Sequence, residues 1–83
     1  MHTDAYHPIN CEFHDVLEAT ATQRRSVRIQ YLDAQGMAVD VHARIVDLGA
    51  RAGAEYMQLD DGSTVRLDRI VSVDEVEATR FDG

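Results

Sequence analysis

The sequence predicts a mostly β protein: one N-terminal helix followed by five short strands that curl into a small barrel. Three observations carry that expectation. Apolar side chains first recur at helical spacing (Phe13, Val16 and Leu17, with Thr20 on the same face). From Ser26 onward they alternate, so the period changes from 3.6 residues to 2. Turn signals then interrupt the alternating part too often for the long strands of a sandwich. A five-stranded sheet of this size would also leave open edges, which closure into a barrel hides. The helix would plug one end with Phe13, Val16 and Leu17. SH3-like, Sm-like and OB-type barrels all fit this strand count.

Taken in order, residues 1–9 read as an extended lead-in, because Pro8 disfavours helix at His7. Asn10 suits an N-cap, since its side-chain oxygen can accept from the free N–H groups of the first turn. The helix then runs from about Cys11 to about Gln23. Glu12 and Asp15 suit the positive end of its dipole, and Arg24 and Arg25 the negative end. Asp15 and Glu18 fall on the face opposite Phe13 and Leu17, with Glu12 on its flank.

Val27, Ile29 and Tyr31 alternate with Arg28 and Gln30, marking a half-buried strand. Asp33-Ala34-Gln35-Gly36 is a turn. Met37, Val39, Val41, Ala43 and Ile45 then hold one face of a strand long enough to bend strongly. Residues 48–54, with two glycines, read as a loose loop. Residues 55–60 and 63–67 form a hairpin across Asp61-Gly62, a pair that suits a type I′ turn. Asp68-Arg69 makes a tight turn into a fifth strand at Ile70, Val71 and Val73. The domain spans 10–74, and residues 75–83 read as an acidic, flexible tail.

Eighty-three residues allow one domain with a small core. A single cysteine, Cys11, excludes an internal disulfide and suits a reducing compartment. The N-terminus shows neither a basic region nor an apolar run, so the expected location is the cytoplasm, with no membrane span. Fifteen acids oppose eight bases, for a net charge of −7. That balance disfavours direct nucleic-acid binding, which needs a basic stripe, and favours partners with basic surfaces.

The run Tyr6-His7-Pro8-Ile9-Asn10-Cys11, followed by Asp15-Val16-Leu17-Glu18-Ala19, resembles the opening signature of the Rho-binding antiterminators (Rof-like proteins). Glu55-Tyr56-Met57 and Arg66-Leu67-Asp68-Arg69-Ile70-Val71-Ser72 are similar to that family's other recurrent stretches, so the resemblance covers roughly residues 6–73. It implies an Sm-like barrel with an N-terminal helix. It also implies an inhibitor that binds the termination factor Rho, covers its primary RNA-binding surface and reduces termination. The free chain is expected to be a monomer, because no strand edge is free of charge. Asp15 and Glu18 match the motif's acidic positions, Asn10 and Cys11 its cap, and Glu12 a place that is commonly acidic. The partner-binding set on this reading is Asn10, Cys11, Glu12, His14, Asp15, Glu18, Asp47 and Arg51. The chain departs from the family in the Gly/Ala-rich 48–54 stretch and after Asp74.

Other chemistries find less support. His7, Cys11 and His14 have spacings that could suit zinc, with His2 nearby, but no second Cys/His pair completes a four-ligand site. The expectation is therefore no metal and no cofactor. Cys11 reads as a small buried hydrophobe, and a thiolate favoured by the helix dipole is the alternative. His42, on the outward side of its strand, reads as exposed. No phosphate loop, nucleophile elbow or paired acid and base is present, so no enzyme is expected. The competing function is an Sm-like RNA-binding module, which requires Arg24, Arg25, Arg28 and Arg44 to share one face.

Overall fold

A computed structural model describes residues 5–81. The helix α1 spans Cys11–Gln23, and strands follow at β1 (Val27–Leu32), β2 (Ala38–Ala43), β3 (Ile45–Arg51), β4 (Ala54–Leu59), β5 (Thr64–Arg66), β6 (Ile70–Val73) and β7 (Val76–Glu77). The strands form two antiparallel sheets, one ordered β2-β1-β6-β7 and the other β3-β4-β5. The expected fold class holds at that level: mostly β, with one helix. Five strands in a closed barrel do not describe it. Among the described residues there are seven strands, and no ladder joins β5 to β6, because Leu67–Arg69 turns between them as a 3-10 helix.

The count differs from five for a physical reason. Residues 38–51 run as one bent stretch that changes sheet at Arg44, so the expected long strand becomes β2 and β3. The corner is pinned. Asp60 donates its backbone N–H to the Arg44 carbonyl at 2.9 Å, and its Oδ1 accepts the Arg44 N–H at 3.0 Å.

The 48–54 stretch is a correction. It holds most of β3, a two-residue turn and the start of β4, with Arg51 paired opposite Ala54. Ala52 and Gly53 have φ of 54° and 82°, the sign pattern of a type I′ turn. At Asp61-Gly62, conversely, only Gly62 is positive (φ 93°). Leu59 and Ser63 close that hairpin, with the Leu59 N–H on the Ser63 carbonyl at 2.9 Å, so the turn is one residue longer than expected.

Phe13 and Leu17 are fully buried, and Thr20 nearly so, against Ile29, Ile45, Met57, Leu67 and Val73. Both sheets and the helix therefore meet in one core. Thr20 keeps its hydroxyl satisfied by donating to the Val16 carbonyl at 2.8 Å. Val76–Glu77 pairs with β6 and Ala78–Phe81 forms a 3-10 turn, local order that the acidic composition after Asp74 does not signal. Residues 1–4 of the expected lead-in and 82–83 of the expected tail lie outside the described residues.

Candidate functional site

The helix begins where Asn10, in extended backbone (φ −62°, ψ 140°), accepts the Glu12 N–H on its side-chain oxygen at 2.7 Å. Its carbonyl also takes the His14 N–H at 3.0 Å. Both are standard N-cap interactions, and they fix which way the following side chains point. Cys11 is exposed rather than buried, because the first helical residue faces away from Phe13.

Glu12, Asp15 and Glu18 all lie on the exposed side of α1. Glu18 reaches His14 (Nδ1 to Oε1, 3.7 Å) while staying 58% exposed. The other ring nitrogen of His14 lies 3.4 Å from Glu55 on β4. Glu55 thus joins the acidic patch, although 41 positions separate it from His14 and no spacing rule links them. The Glu12 and Asp15 carboxylates have no hydrogen bond or ion pair among the described residues. Among the described residues, none of the three helix acids meets an arginine.

The base of the patch is a clamp between distant segments. Arg66 and Asp68 form a bidentate pair at 2.6 and 3.0 Å, with side chains only 15% and 7% exposed. Asp68 also accepts the His7 backbone N–H at 2.9 Å. Arg66 lies 5.9 Å from the centre of the Tyr6 ring, and Tyr6 donates its hydroxyl to Glu55 at 3.1 Å. Burial, followed by the neighbouring Glu55 carboxylate, pushes the Tyr6 hydroxyl up to about 12. The paired Asp68 carboxylate holds Arg66 more firmly charged than usual. Tyr6, His7, Glu55, Arg66 and Asp68 all belong to the family-like stretches. Here they touch one another and hold the segment entering α1 against the second sheet.

Asp47 and Arg51 belong elsewhere. They lie on the outer face of β3, where they line a groove of about 300 Å³ with Tyr56, Gln58 and Thr64. Arg51 stacks on Tyr56, 5.7 Å from the ring centre. Side chains alternate across a strand, so Tyr56 faces this groove while its neighbour Glu55 faces α1. The eight expected partner residues therefore divide between two surfaces: six on or capping α1, and two on the outer sheet face.

The arginines proposed as one basic face are unequally available. Arg25 pairs with Asp74 at 2.9 Å. Arg28 pairs with Asp40 at 2.6 Å and with Glu75 at 3.6 Å. The Arg28 guanidinium holds the Asp40 carboxyl below its usual range. Among the described residues, no three His, Cys, Asp or Glu side chains converge to hold a metal ion, and no helix is long and apolar enough to cross a membrane. Comparison with family models, curated proteins and solved structures finds no match for the chain.

Proposed function

We propose that this chain is a protein inhibitor of the transcription termination factor Rho, without catalysis of its own. The acidic face of α1 occupies the primary RNA-binding surface and excludes RNA. On this reading the two sheets are an opened-out Sm-like barrel, with the bent 38–51 stretch as its second strand. The observation that carries the proposal is that Glu12, Asp15 and Glu18 are exposed together and, among the described residues, none is neutralised by an arginine. The resemblance of residues 6–73 supplies the identity of the partner.

The mechanism is substitution of charge. A groove that holds RNA presents Arg and Lys to phosphates, and carboxylates can meet the same cations. Exposed ion pairs contribute only about 0.2–1 kcal/mol each, whereas desolvated pairs at an interface couple by roughly 1.5–7 kcal/mol. Two or three central pairs therefore suffice, and the other acids speed encounter by steering. The clamp matters here because a helix whose N-terminal entry is fixed presents its acids without having to order them on binding.

The test is a binding titration of Rho with the Asp15→Arg/Glu18→Arg variant. Affinity falls by at least about a hundredfold, corresponding to two lost interfacial pairs. The melting temperature stays within a few degrees of the parent, because both positions are exposed. Undiminished affinity for Rho refutes the proposal.

A further inference from the structure

All eight basic side chains are arginines, and six of them are engaged within the chain. Arg25, Arg28 and Arg66 pair with carboxylates. Arg69 donates to the Asp33 carbonyl at 3.2 Å, Arg51 stacks on Tyr56, and Arg80 is also partnered. Arg24 and Arg44 are the exceptions. Neither side chain meets a carboxylate, carbonyl or ring among the described residues. In a chain of net charge −7, these two line the same cleft of about 190 Å³, with Ala21, Ile45 and Val46.

Both backbones are set by the fold. Arg44 sits at the strand corner, held on its N–H and its carbonyl by Asp60. Arg24 ends α1 in left-handed backbone (φ 56°), where glycine or asparagine is the usual residue. An arginine at such a position is not what the backbone favours, and strained positions of this kind concentrate where the side chain has work to do.

We propose that the Arg24–Arg44 cleft is a binding site for the phosphate group of an organic phosphate ester. Two guanidinium groups suit the geometry and charge of a phosphate, each able to donate twice. The exposed Val46 beside them offers apolar contact to the organic part, which a bare inorganic anion lacks. The helix C-terminus carries a partial negative charge, but two full cationic charges outweigh a half-charge whose nearby Ala21 carbonyl already accepts the Arg24 N–H. This site is separate from the acidic face and stands whether or not that face binds Rho.

The experiment is an amide chemical-shift titration of the full chain with sodium phosphate, adenosine monophosphate and a short oligouridylate. Sodium chloride at matched ionic strength is the control. Saturable shifts are expected at Ala21, Arg24 and Arg44–Val46, with adenosine monophosphate tighter than inorganic phosphate. A tighter oligouridylate assigns the site to a phosphodiester backbone, and a tighter mononucleotide assigns it to a terminal phosphate. The Arg24→Gly/Arg44→Gln variant loses at least about tenfold in affinity. Arg24→Gly alone, which suits the backbone, weakens binding while keeping or raising the melting temperature. Shifts reproduced by chloride, centred elsewhere or unchanged in the double variant overturn the proposal.

Discussion

The two faces of α1 show how one short helix divides its work. On the inner face Phe13 and Leu17 are wholly buried and touch strands from both sheets. On the outer face the Glu12 and Asp15 carboxylates form no hydrogen bond or ion pair among the described residues. The same contrast separates the chain's carboxylates. Asp40 and Asp74 each meet an arginine distant in sequence, and Asp68 meets Arg66 two residues before it and the His7 N–H across the fold, so all three belong to the architecture. The Glu12 and Asp15 carboxylates meet no cation among the described residues, and Glu18 meets only His14. Position in sequence does not distinguish the two classes, since both are Asp and Glu in an acidic chain. What distinguishes them is whether the fold brings a cation within reach.

Substitutions that cross this divide have graded effects. Phe13→Ala removes the inner anchor and costs about 3–5 kcal/mol in chemical denaturation. In a domain of this size that is a large share of the total stability. Asn10→Ala removes the cap and costs about 1 kcal/mol, while leaving Glu12, Asp15 and Glu18 unchanged. Its binding loss is correspondingly small if those acids carry the affinity.

Tyr6→Phe removes one hydroxyl from the clamp and costs under about 1.5 kcal/mol at neutral pH. It also has a pH signature. The folded Tyr6 hydroxyl lies near 12, above its ordinary 10, so the native state holds that proton more tightly than the unfolded chain. The resulting stabilisation is complete below pH 10 and is lost as pH rises towards 12. Alkaline unfolding curves of Tyr6→Phe are therefore shallower over that window. At the other extreme, Asp15→Arg shifts stability by no more than about 0.5 kcal/mol, since that exposed carboxylate makes no hydrogen bond or ion pair among the described residues.

Much of the inner face was legible in the residues. The helix runs from Cys11 to Gln23 and is capped by Asn10, as the spacing of Phe13, Leu17 and Thr20 implies. The 48–54 stretch was not legible. Leu48 is half-buried while Gly49, Ala50 and Arg51 are all exposed, so no strong alternation marks a strand. Pairing with β4 makes it one. Turn chemistry misled in the same way: the Asp-Gly pair took a longer loop, while positive φ at both turn positions fell on Ala52-Gly53 and on Asp74-Glu75. Arg28 stabilises that second turn by reaching Glu75, and Arg25 by reaching Asp74. The clamp was invisible because its contacts span up to 61 positions, from His7 to Asp68. Of the expected site, the helix acids were legible from periodicity alone, whereas Glu55 joined them only through folding.

The central claim is that exposed carboxylates on α1 take the place of RNA phosphates. The most direct measurement is a competition titration, in which fluorescently labelled RNA bound at the primary site of Rho is challenged with increasing amounts of this protein. The account predicts that RNA is released in proportion to the protein bound, and that the Asp15→Arg/Glu18→Arg variant releases none. Protein and RNA bound together on Rho, with no loss of RNA signal at saturation, would contradict it.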